Sequence, residues 1–153
     1  MQGGRMERDR IVDTLNELIR AAEDSHLGFQ RAAENAPDPD LKSLLNDIGA
    51  RRGAIVRELQ RLVATIGGAP EATGTLLGGA QRMLEDLQSV FRDRDGGTIL
   101  DSLVRREDGT LERFQQALGA DLPPEVAAGV MEQAARIRDD RDRLTARRAS
   151  HAA

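Results

Sequence analysis

Apolar residues recur three and four positions apart through four long stretches of this chain, and in each stretch the stripe turns polar near its middle. That spacing is the signature of helices packed along one face. The first stretch runs Ile11, Leu15, Leu18 and Ala22, then Ser25, then Phe29 and Ala32, with Val12, Ile19, His26 and Ala33 as a flanking column. It predicts a helix over 9–35. The second carries Leu41, Leu44, Leu45, Ile48, Ile55, Leu59, Leu62 and Ile66, interrupted at Arg52. The third carries Ile99, Leu100, Leu103, Leu111, Phe114 and Leu118, with Glu107 in the middle slot. The fourth carries Val126, Val130, Ala134, Ile137 and Leu144, with Gln133 and Asp140 in the seam.

The breaks between stretches set the topology. Pro37-Asp38-Pro39-Asp40 is a sharp stop, because a residue before proline avoids the helical region; Asp38 can then cap a helix that begins at Pro39. Gly67-Gly68, with Pro70 beyond, is a C-terminal stop. Gly119–Pro124 is a tight connection with prolines at the next helix start. Short connections make the first and second helices, and the third and fourth, two antiparallel hairpins. Roughly 30 residues separate the hairpins. Within them Leu76, Leu77, Met83, Leu84, Leu87, Val90 and Phe91 predict a shorter amphipathic helix over 76–91, roughly 24 Å long, between the linker 67–75 and a turn at 93–97. Such a connection can cross a bundle end to end, so the second and third helices run parallel. The expected fold is therefore all-α: a ferritin-like four-helix bundle of two antiparallel hairpins, with an additional shorter helix in the crossover. The expected boundaries are a disordered leader at 1–8, the bundle at 9–147 and a frayed tail at 148–153.

Composition removes several classes of function. With 153 residues the chain makes one domain with a sizeable core. Aromatic residues are 2% of it, too few for the stacking platforms of single-strand nucleic-acid binders. A formal net charge of −4 gives no basis for phosphate-backbone binding. No cysteine is present, which rules out disulfides, thiolate metal sites and thiol catalysis. Met1 to Arg10 is Arg- and Gly-rich without a following apolar run, so no signal peptide is expected, and no run is long enough to span a membrane. The expectation is a cytoplasmic protein without nucleic-acid or membrane partners.

The polar positions are where chemistry could sit. Counted from the nearest hairpin, His26, Arg52, Glu107 and Gln133 fall roughly 16, 22, 21 and 18 Å from their respective ends of a bundle roughly 39 Å long, within one slab. A di-metal centre in such a bundle takes a Glu from each of two helices and a Glu-x-x-His pair from each of the others, because positions i and i+3 share a helix face. The chain has one Glu-x-x-His, Glu23-Asp24-Ser25-His26, where such a centre needs two, and its second histidine, His151, is the third residue from its end. A single Fe, Mn or Zn ion held by Glu23, His26 and Glu107 is one alternative. A second is a buried ion pair: Arg52 cannot deprotonate, so a buried guanidinium requires a carboxylate, with Glu107 best placed and Asp140 or Asp108 next. In a third, Arg52 snorkels to solvent at the seam edge. Gly78-Gly79 and Gly96-Gly97 read as helix punctuation, and Arg136–Arg148 as a solvated, mixed-charge helix face or a partner contact. The Ser, His and Asp residues lack the strand–turn–helix setting of a hydrolase nucleophile.

Three segments resemble a known group: LNELIRAAEDSHLGFQRAAE at 15–34, DPDLKSLLNDIGARRGAIVRELQRLVATIGG at 38–68 and REDGTLERFQQALGADLPPEVAAGVMEQ at 106–133. They are similar to the bacterial ferritin-like four-helix-bundle proteins grouped under a domain of unknown function. The resemblance covers about 9–147 and implies a ferritin-like fold with no assigned activity. Family members often have Glu, a carboxylate and His where this chain has Leu27, Val104 and Arg141, so a metal site that relatives held would be degenerate here. The resulting expectation is a non-catalytic protein without a cofactor or a di-iron centre, stress-associated, and acting through self-association or a protein partner. The alternative is a metal-binding protein or oxidoreductase of the ferritin-like superfamily.

Overall fold

In the computed structural model, which describes residues 2–70 and 96–152, four helices account for nearly the whole described chain: α1 (Gln2–Glu34), α2 (Pro39–Thr65), α3 (Gly96–Gly119) and α4 (Pro124–Ala152). No strand occurs among the described residues, and no helix there is long and apolar enough to cross a membrane. The ends of α2 form as the sequence predicts. Asp38 is extended (φ −136°, ψ 156°) and its carboxylate accepts the Leu41 backbone N–H at 2.8 Å, with Pro39 in the first turn. At the other end Gly67 takes φ +80°, while the Gly67 and Gly68 N–H groups donate to the Ala64 and Val63 carbonyls, both at 3.0 Å. This paired closure satisfies two carbonyls that a helix end otherwise leaves open, and it needs a residue that tolerates the left-handed region.

Cross-helix bonds fix the directions. Between α2 and α4, Arg147 reaches Asp38 at 3.1 Å, Arg143 reaches Asp47 at 2.7 Å, and Arg52 faces Asp140. Numbers rise on one helix as they fall on the other, so the two are antiparallel. Arg148–Asp101 and Arg141–Asp108 give the same result for α3 and α4. At one end of α1, Arg10 donates to the Asp121 carbonyl at 2.8 Å; towards the other end, Phe29 shares a core cluster with Ile99, Leu100 and Leu103. Thus α1 is antiparallel to α3 as well as to α2, and α2 and α3 run parallel. The C-terminal end of α2 and the N-terminal end of α3 therefore lie at opposite ends of the bundle. The helix expected over 76–91 lies outside the described residues.

Three boundaries differ from the sequence reading. The segment 1–8, read as a disordered leader, continues α1 from Gln2, and 148–153, read as a frayed tail, continues α4 to Ala152. Extending a nucleated helix adds one hydrogen bond per residue fixed, so unpatterned polar residues can prolong it. Arg10–Glu7 and Arg148–Asp101 ion pairs stand close to these ends. Gly96 and Gly97, read as part of a turn, lie buried in the first turn of α3.

Candidate functional site

The apolar core is two clusters. One contains Ile11 to Ala22 of α1, Ile55 to Val63 of α2, Leu111 to Ala117 of α3 and Val126 to Ile137 of α4. The other contains Phe29 to Ala33, Leu41 to Ile48, Ile99 to Leu103, and Leu144. Every helix is interrupted between the two, and the seam residues in the gaps are Ser25, Arg52, Glu107 and Asp140. All four are buried. A polar layer therefore crosses the bundle at one level.

Arg52 is its centre, with 0% exposure, against 1% for Glu107 and 0% for Asp140. Both terminal nitrogens of Arg52 donate to Glu107, Nη1 to Oε1 at 2.9 Å and Nη2 to Oε2. This two-point match of a planar guanidinium to a carboxylate is the strong form of the interaction. The guanidinium carbon also lies 5.4 Å from the centre of the Phe29 ring. Asp140 is held less completely. Its Oδ2 is 3.5 Å from Arg52 Nη2, its Oδ1 is 2.9 Å from Arg51 Nε, and neither oxygen accepts an aligned hydrogen bond. Burial pushes the Glu107 carboxyl above the usual carboxylate range against the pull of Arg52, and does the same to Asp140 against Arg52 and Arg51.

Two of the expected layer residues do not join the ion pairs around Arg52. His26 is half-buried on the α1–α2 seam, where its Nδ1–H donates to the Gly49 carbonyl at 2.6 Å and Gln30 Nε2 is 3.4 Å from its Nε2. Gly49 and Gly53 let α1 come that close. A Cβ on Gly53 would stand 3.2 Å from His26 Cε1, and one on Gly49 3.3 Å from Phe29 Cβ. Gln133 is fully buried, but two turns from Asp140 towards the α3–α4 connection, in the span of α4 that builds the larger apolar cluster. Its amide oxygen and nitrogen have no hydrogen-bond partner. Counting Glu107 and Gln133 from the hairpin between them assumes a symmetric α3–α4 connection. The Arg141–Asp108 and Arg148–Asp101 pairs show α4 offset so that Asp140, not Gln133, meets the layer.

The centre of the layer is occupied by a guanidinium that cannot lose its proton, and it engages both oxygens of Glu107. Glu23 is buried on α1, but Glu23, His26 and Glu107 are not brought together as a ligand set, and no cluster of three His, Cys, Asp or Glu able to hold a metal occurs among the described residues.

Sequence reasoning missed Arg51, which reaches Asp140 from the rim, and Phe29 beneath the guanidinium. The small-residue pair Gly49 and Gly53, one turn apart, was a usable signal for the close α1–α2 approach. The Arg-rich stretch of α4 is neither a purely solvated face nor a free one: Arg141, Arg143, Arg147 and Arg148 bind Asp108, Asp47, Asp38 and Asp101 on other helices or their caps.

The family model described as a domain of unknown function, DUF2383, matches residues 10–120. The chain belongs to the DUF2383 family. The match takes in α1 from Arg10 onward and the whole of α2 and α3, so Arg52 and Glu107 lie within the DUF2383 region and Asp140 beyond it. No curated protein matches the chain.

Proposed function

We propose that this DUF2383 chain is a ferritin-like bundle, with a shorter helix in the α2–α3 crossover, whose centre is closed by an ion pair in place of a metal ion. It works as a non-catalytic bacterial cytoplasmic protein through self-association or a protein partner. One observation carries this reading: Arg52, fully buried in the gap between the two core clusters, has both terminal nitrogens on Glu107. A bundle that coordinates metal on facing helices aims carboxylates and histidines at the same level. Here the charge demanded by those carboxylates is met by the chain itself. The parallel course of α2 and α3, which requires a connection the length of the bundle, supports the ferritin-like topology.

The test is elemental analysis of protein purified without chelator, followed by calorimetric titration with Fe²⁺, Mn²⁺ and Zn²⁺. The expected result is no stoichiometric metal and no saturable binding heat. One equivalent of metal per chain, lost in Glu107→Gln, would contradict the reading and favour a metal-binding protein or oxidoreductase. Light scattering of the same preparation tests the second part: a mass of two or more chains supports self-association, and a monomer leaves a separate protein partner as the mode of action.

A further inference from the structure

The polar layer holds one buried cation and two buried carboxylates, and the two carboxylates are not treated alike. Glu107 takes both terminal nitrogens of Arg52. Asp140 has one contact at 3.5 Å to the same guanidinium and another to Arg51, which is 42% exposed and so shared with water. Neither Asp140 oxygen receives an aligned hydrogen bond, although the side chain has no exposed surface. A buried carboxylate left in that condition lowers its free energy most directly by taking a proton.

We propose that Asp140 is a proton-binding joint between α2 and α4: it takes up a proton in preference to Glu107, and the charge of Arg51 at the rim governs how readily it does so. The surrounding groups support this assignment. From α2 the facing charges are Arg51 and Arg52. From α3 they are Glu107, committed to Arg52, and Asp108, held by Arg141. On α4 itself Arg143 pulls on Asp140 but is engaged by Asp47. On α1, His26 is turned to the Gly49 carbonyl. Arg52 and Arg143 also pull on Asp140, but each is engaged by another carboxylate, which leaves Arg51 as the cation without a second acidic partner here. Two carboxylates around one guanidinium titrate as a unit, and the one with two made hydrogen bonds keeps its charge.

The sign of the pH dependence follows. Asp140 binds protons more tightly in the folded chain than in the unfolded one. Stability is therefore fullest at and below the ordinary carboxylate range, and it falls as pH rises from that range through the raised folded value. The bundle tightens on mild acidification, and its α2–α4 seam depends on Arg51 once Asp140 is charged.

Carboxyl-carbon NMR titration of the full chain tests this. As pH is lowered, the Asp140 signal should move above the range of the other aspartates and before that of Glu107. Arg51→Gln, a change at an exposed position, should shift the Asp140 midpoint further up and steepen the loss of melting temperature with rising pH. Asp140→Asn should flatten that loss. Asp140 remaining charged down to the ordinary aspartate range would overturn the proposal. So would Glu107 taking the first proton, or an Asp140 midpoint unmoved by Arg51→Gln.

Discussion

The Arg52–Glu107 pair inside the bundle and the Arg143–Asp47 pair on its outside join the same chemical groups at similar distance, yet they differ in consequence. The inner pair has no exposed surface to speak of, whereas Arg143 and Asp47 are 39% and 56% exposed. Water solvates the outer charges whether or not they meet, so their separation costs little. Inside, Glu107 has only Arg52, and Arg52 has besides it only the half-engaged Asp140, so removing either strands a buried charge. The outer pairs of α4 trim the register of helices that the apolar seam already holds. The inner pair decides which level of the bundle is polar.

Substitutions should separate the two regions by size of effect. Glu107→Gln leaves a buried guanidinium facing only the half-engaged Asp140, and urea unfolding should show a loss of about 3–5 kcal/mol. A loss below about 1 kcal/mol would mean that water reaches Arg52 and that the inner pair behaves as an outer one. Gln133→Met sharpens the contrast from the opposite side. It replaces a buried amide without partners by an apolar chain of similar length, and should raise stability by about 1–3 kcal/mol. A loss instead would reveal a partner for that amide. Asp47→Asn should change stability by less than about 1 kcal/mol, with the difference fading at high salt.

The bundle and its polar centre were largely legible in the sequence, for a definite reason. Arg52 stands midway between Ile48 and Ile55 on an otherwise apolar seam, and Glu107 midway between Leu103 and Leu111. A charged side chain at such a position must be paired or must escape, and the structure buries it against Glu107. Choosing Asp140 over Gln133 for that level was beyond periodicity. Both lie on the same stripe of α4, seven residues apart, and only the offset of α4 along α3 tells them apart. The role of Arg51 was hidden because an exposed residue beside the seam reaches inward or outward according to a few degrees of helix rotation. The helical state of 2–8 and 148–152 left no periodic trace, since those residues extend a helix without patterning it.

Arg52 and Glu107 act as one energetic unit, and a double-mutant cycle under urea unfolding measures that directly. Arg52→Met and Glu107→Leu should each lose about 3–5 kcal/mol, because the first leaves two buried carboxylates without their guanidinium and the second leaves a buried guanidinium facing only the half-engaged Asp140. The chain carrying both should recover most of the loss, its layer reduced to Asp140 with Arg51. Losses that simply add in the double variant would show the two side chains acting independently and would contradict the account.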